Sequence, residues 1–320
     1  MTALVPRAIQ ALFPSEGRNV GYPFFRANRQ PDFSDPAKQA VNAWWCSQLM
    51  WLAYLEDKPF IASILAGAGL QLRGSIIDDG VMQAFVATSL DGTAYVAIRG
   101  TVFLAPTWPL DLPGMRTAYY QWKANLEARL VPAAPVPDLP NAPPLQGRVH
   151  DGFQKMLHRI AAQVQPLLDA LPHASTVVYT GHSLAGAVAT LLSHVLVPPQ
   201  GSKPLIVSFG SPRPGDQALV DCVRTPHWRY VHGNDIVPTL PPAHLFDVPT
   251  GYAHHAEPIP LPHESSSARN AIELVDQAIG GLTDMQKAEA RLALELAPGG
   301  VLDHVPVLYA GQCERRIASP

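Results

Sequence analysis

The stretch 175–196, STVVYTGHSLAGAVATLLSHVL, constrains the fold more than any other part of the chain. It opens as a short β-branched run, turns within Gly-His-Ser, and continues as a helix rich in small residues. A strand that passes to a helix in one tight turn fits an α/β layer structure, because the helix must fold back against its own strand. Small residues are needed where the two pass, and Gly181 and Ala185 stand two before and two after Ser183. Downstream, KPLIVSFG (203–210) and HWRYVHG (227–233) read as further strands. Strand and helix alternating in this way predict an α/β fold with a central, mostly parallel sheet flanked by helices.

Other segments fill in the layers. Residues 38–55 predict an amphipathic helix with Val41, Trp44, Trp45, Leu49, Leu52 and Leu55 near one face. An aromatic stripe at helical spacing predicts a core face rather than a lipid-facing one. Residues 81–101 are two apolar runs around Asp91-Gly92, a hairpin signal. Residues 151–171 have helical periodicity. Residues 1–37 read as an irregular arm, 102–114 as an apolar proline-containing loop, and 131–147 as a proline-rich surface excursion. Residues 265–297 read as mostly helical, with a Thr283/Gln286 capping box and a stop at Pro298-Gly299-Gly300.

Composition narrows the function classes. The chain of 320 residues is 47% hydrophobic and 15% charged, so it is globular rather than disordered. A net charge of −3 with no basic stripe argues against a nucleic-acid partner. Three scattered cysteines (Cys46, Cys222, Cys313) suit neither a disulfide framework nor a metal site, and small buried apolar roles are expected of most of them. The longest apolar stretch, 41–55, is too short to span a bilayer, and Pro6 and Pro14 interrupt the N-terminus before any signal-type run forms. The expectation is a soluble chain, cytoplasmic or exported without a cleavable leader.

GHSLA (181–185) carries the chemistry. In a nucleophile elbow the serine sits on a strained strand-to-helix turn, its hydroxyl clear of the sheet and near a helix N-terminus. The usual closing glycine is replaced by Ala185, with Gly186 one residue later. A pattern this short arises by chance in roughly one chain in four of this length, so its strand and helix context is what gives it weight. A serine nucleophile needs a base, and the base an orienting acid, in chain order Ser, Asp/Glu, His. Asp235, in a loop after the strand of RYVHGNDIVPTLPP (229–242), fits the acid, with Asp247 as the weaker alternative. The base is one of His244, His254, His255, His263 and His304; His304 is favoured because it follows a terminated helix near the chain end. The pair His254-His255 lacks metal-ligand company.

Several motifs in order resemble those of the fungal-type class 3 lipases, which are α/β hydrolases. They are YVAIRGT (95–101), TWPLDL (107–112), RVHDGFQKML (148–157), VVYTGHSLAGAVATLL (177–192), VSFGSPRPGD (207–216), RYVHGNDIVPTLPP and TGYAHHAEPI (250–259). The resemblance runs from about Val41 to the C-terminus and implies one α/β-hydrolase domain over 1–320. It implies Ser183 as nucleophile, Asp235 as acid and His304 as base. It also implies an oxyanion hole from the Thr101 hydroxyl and N–H together with the backbone N–H of Leu184. His150 and His254 match scaffold histidines of the family, and His182 matches a packing residue. The family's lid corresponds to 102–112, whose Val102, Phe103, Leu104 and Trp108 suit a lipid surface. No metal or organic cofactor is implied. The expected activity is hydrolysis of lipid esters, with a phospholipase, an acyltransferase or a silent lipid-binding protein as alternatives on the same scaffold.

The sequence departs from the family pattern at Ala185, at Thr107 in place of the usual Asn, and in DHVPVLY (303–309), where His304 lies further than usual from its tyrosine. Residues 113–147 and 262–297 are long insertions expected to reshape the substrate cleft.

Overall fold

The computed structural model describes residues 24–25, 28–80, 82–100, 129–245, 248–261, 284, 300 and 302–318. Outside them lie most of the 1–37 arm, Thr101, the 102–112 lid segment, residues 113–128, Asp247, His263 and nearly all of 262–297 with its capping box.

Among the described residues a 3-10 turn (Pro36–Lys38) leads into helices α1 (Gln39–Leu52) and α2 (Lys58–Gly67). Strands β1 (Gln71–Asp78), β2 (Gln83–Thr88) and β3 (Thr93–Ile98) follow as an antiparallel meander. The β2–β3 turn falls at Asp91-Gly92, where the hairpin signal placed it, and Gly92 takes φ +84°. Next come β4 (Leu130–Pro132), β5 (Arg148–His150), α3 (Asp151–Asp169), β6 (Thr176–His182), α4 (Leu184–Val195) and β7 (Lys203–Phe209). The described residues continue with β8 (Gly215–Asp216), α5 (Gln217–Cys222), β9 (His227–His232), β10 (His244–Leu245), β11 (Val248–Pro249), β12 (Tyr252–Ala253), β13 (Pro258–Leu261) and α6 (Pro306–Ala318).

The main sheet has the order β1-β2-β3-β6-β7-β9-β13, and every pairing from β3 onward is parallel. Side chains alternate between its faces as the pleat requires. Tyr95, Ala97, Val178, Val207 and Phe209 join one core with α1 and α6, whereas Ala94, Val96, Ile98, Val177, Tyr179 and Ile206 join another with α3 and α4. The result is a three-layer α/β/α arrangement. The aromatic stripe of α1 faces the core, with Trp44, Trp45 and Trp51 at most 1% exposed. Cys46 and Cys313 are buried free thiols and Cys222 is half-buried. The 131–147 excursion is more than a surface loop: its start pairs with β5 as β4, and Val136 is buried in the α3/α4 core. No helix among the described residues is long and apolar enough to cross a membrane.

Candidate active site

β6 and α4 meet at Ser183, which takes φ 60° and ψ −136°. A serine in that region is strained by about 1–3 kcal/mol, held only because its surroundings fix it. Two backbone bonds do so: Ser183 N–H donates to the Phe209 carbonyl of β7 at 2.8 Å, and Gly186 N–H donates to the Ser183 carbonyl at 2.9 Å. A Cβ on Gly181 would lie 2.7 Å from the backbone of Ala185, so residue 181 must be glycine for the helix to sit this close. The Ala185 methyl fits, fully buried, against that bare backbone. Ser183 is 2% exposed, and its hydroxyl has no hydrogen-bond partner among the described residues. Leu184 opens α4, so its N–H is one of the first-turn amides that the helix itself leaves unpaired.

The loop after β9 carries Asp235, and the 3-10 turn Leu302–His304 before α6 carries His304. They are 69 residues apart in sequence, and His304 Nδ1 donates to Asp235 Oδ2 at 2.8 Å. Both side chains are nearly inaccessible. A carboxylate only accepts, so the proton lies on Nδ1, and a neutral His304 presents Nε2 as a base. Asp235 has further donors: Val237 N–H to Oδ1 at 2.8 Å, and the Tyr309 hydroxyl to Oδ2 at 2.5 Å. Burial, and then the Asp235 charge, push the Tyr309 phenol well above its usual range, so it stays protonated and donates. The same hydroxyl accepts from His232 N–H at 3.1 Å. The longer gap from His304 to its tyrosine therefore does not remove the contact, because Tyr309 reaches back from the first turn of α6. Gly210 lies beneath the pair at φ +59°; a Cβ there would be 2.6 Å from Asp235 Oδ2 and 3.0 Å from His304 Nδ1.

His182 ties the β6–α4 turn to the turn that carries His304. Its ring stacks on the His304 ring with centroids 4.4 Å apart. Burial, then the neighbouring His304, hold its imidazole well below the usual range, so it is neutral. Nε2 faces the His304 carbonyl at 2.8 Å and must donate; Nδ1 then accepts from the Tyr54 hydroxyl at 2.8 Å. The residue expected only to pack is thus a hydrogen-bonded strut between β6 and the turn that carries His304. Chain spacing gives no signal for it, nor for Tyr54, which lies 128 residues away.

The remaining candidate histidines stand apart from this cluster. His254 Nε2 donates to the Pro238 carbonyl at 2.7 Å, and burial lowers its imidazole to about 3. His255 Nε2 donates to the Val223 carbonyl at 3.0 Å, and its Nδ1 faces His227 Nδ1 at 3.1 Å. His244 is exposed on β10. His150 caps α3, accepting from Gly152 N–H at 3.1 Å. No group of three or more His, Cys, Asp or Glu among the described residues could hold a metal ion.

Comparison with known proteins gives one consistent answer. Residues 113–245 match the family model described as Lipase (class 3). The secreted mono- and diacylglycerol lipase 1 of Fusarium solani is 35% identical over 112 residues, which is 33% of this chain and 32% of the relative. A lipase of Rhizomucor miehei is 34% identical over 126 residues, 36% of this chain and 33% of the relative. The matches thus span about a third of the length of these curated relatives. Among solved structures, a deletion mutant of the Rhizomucor miehei lipase propeptide complex superposes with a TM-score of 0.51 at 20% identity, covering 82% of this chain and 81% of that one. The fold is that of the fungal lipases, and the resemblance to the fungal-type class 3 lipases expected from the motifs holds in both sequence and structure.

Proposed function

We propose that this chain is a serine carboxylic ester hydrolase acting on lipid esters. Ser183 is the nucleophile, His304 the base, and Asp235 the acid that orients and stabilises it. His304 takes the hydroxyl proton as Ser183 Oγ attacks the ester carbonyl, then gives it to the leaving alcohol; water releases the acyl group by the same route. The Leu184 amide and Thr101 hold the oxyanion, each donor being worth about 10²–10³ in turnover. The observation that carries the reading is the buried His304–Asp235 pair, whose imidazole stacks on His182, the residue next to a strained serine. The names of the relatives, a mono- and diacylglycerol lipase and a lipase, support a lipid ester as substrate. We read 1–320 as one α/β-hydrolase domain with 102–112 as its lid, in transient contact with a lipid–water interface. The relative named as secreted supports export.

The test is hydrolysis of p-nitrophenyl butyrate and emulsified triacylglycerol by the wild-type chain and Ser183→Ala, with labelling by a fluorophosphonate probe. The expectation is activity and labelling in the wild type and neither in the variant. A variant that keeps most of its activity would sink the assignment.

A further inference from the structure

The base turn is held from three sides. His182 Nε2 donates to the carbonyl of residue 304 at 2.8 Å, and His232 Nδ1 donates to the carbonyl of residue 303 at 3.0 Å. The third hold is a side chain. Asp303 is 4% exposed, and its Oδ2 accepts from the backbone N–H of Asn234 at 2.7 Å. Asn234 immediately precedes Asp235. One residue before the base therefore grips the backbone one residue before the acid. This bond runs beside the His304–Asp235 bond and joins the same two loops.

We propose that Asp303 is a positioning residue for the triad, fixing the height and rotation of the base turn relative to the acid loop by its bond to the Asn234 amide. The proposal rests on the functional reading above. The His304–Asp235 bond fixes the imidazole on the carboxylate, and His182 and His232 hold the main chain of the turn, but none of these three bonds ties the turn to the backbone of the acid loop. The bond from Asp303 to the Asn234 amide supplies that tie. A carboxylate accepting a backbone N–H makes a charge-assisted bond, stronger and shorter than a neutral one. The loop after β9 has its own turn, closed by Asp235 N–H on the His232 carbonyl at 3.0 Å, so the Asn234 amide points away from that turn toward Asp303. His232 completes the bracket from the strand end, leaving the base turn tied by its main chain to the end of β9 and by its side chain to the loop that follows.

The experiment compares wild type, Asp303→Ala and Asp303→Asn, using kcat and KM on p-nitrophenyl butyrate, thermal midpoints, and the low-field NMR resonance of the His304 Hδ1 proton. Removing the acceptor should lower kcat about 10- to 100-fold, the scale of a 1 Å misplacement, with KM unchanged. It should also broaden or shift the low-field resonance upfield in a protein that still unfolds cooperatively. Asp303→Asn keeps an acceptor oxygen and should recover most of the rate and the resonance. An Asp303→Ala enzyme with kcat within about twofold of wild type would overturn the proposal, as would equal impairment of the two variants. Should Asp303→Ala fail to fold, Asp303→Asn decides alone: a retained resonance and rate support the latch, and their loss in a folded protein overturns it. If the wild type neither hydrolyses esters nor labels with fluorophosphonate, the functional reading fails, while the resonance still tests the latch.

Discussion

Gly210→Ala should separate backbone strain from damage to the triad, because the chain contains its own control. Gly210 and Gly201 both have positive φ, at +59° and +84°. A side chain at either one meets the left-handed penalty of about 1–2 kcal/mol. Their surroundings differ. No described atom lies within 4 Å of a Cβ built on Gly201, whereas one on Gly210 falls 2.6 Å from Asp235 Oδ2, 2.9 Å from the Tyr309 hydroxyl and 3.0 Å from His304 Nδ1. Overpacking of that kind adds about 1–3 kcal/mol. The combined cost at Gly210 is then about 2–5 kcal/mol, against about 1–2 at Gly201. Function should diverge further. The new methyl occupies the space of the His304–Asp235 bond, so Asp235 must move, and under the proposed function losing the acid's orienting role costs up to about 10⁴ in turnover. Urea unfolding and ester hydrolysis on both variants measure the two effects. Gly201→Ala should lose stability alone. A Gly210→Ala enzyme within about threefold of wild-type kcat would refute the claim that the glycine makes room for the triad.

Tyr309→Phe leaves His232 N–H buried without its acceptor and strips one donor from Asp235, which should cost about 2–4 kcal/mol by urea unfolding and lower kcat. Trp44→Ala, at a fully buried position of α1, should cost about 3–5 kcal/mol in the same assay. Stability should fall on acidification below pH about 6.5, because burial lowers the imidazoles of His182, His227, His254 and His255, so the unfolded chain takes up protons that the folded one refuses. The loss continues toward pH 3, where His254 titrates in the folded state; His254→Gln should flatten the urea midpoint against pH, and an unchanged slope would count against it. At pH 8, Ellman's reagent should react quickly with Cys222 only, since Cys46 and Cys313 are buried and burial raises the Cys313 thiol to about 12.

The sequence by itself determined the layers. Alternating apolar runs and helical stripes are local signals, and β2, β3, α3, β6, α4, β7 and β9 stand within three residues of where those signals put them. The elbow was legible for the same reason: its strand, its turn and its small flanking residues are contiguous, and Gly181 with Ala185 already states how closely strand and helix pass. α6 was not read, because its apolar positions are interrupted and it earns its place by packing on α1 rather than by a strong period of its own. The tertiary structure shows how the favoured histidine meets Asp235. Chain order left five histidines with His304 favoured, and the sheet order places the end of β9 beside the turn before α6, so His304 reaches the carboxylate while His254 and His255 are bound to carbonyls elsewhere. The same holds for Tyr54, His182, His232, Asp303 and Tyr309, which come together from separate elements. Local sequence encodes the period and the turn. A hydrogen bond between residues 69, 71 or 128 positions apart exists only once the sheet has set which strand ends are neighbours.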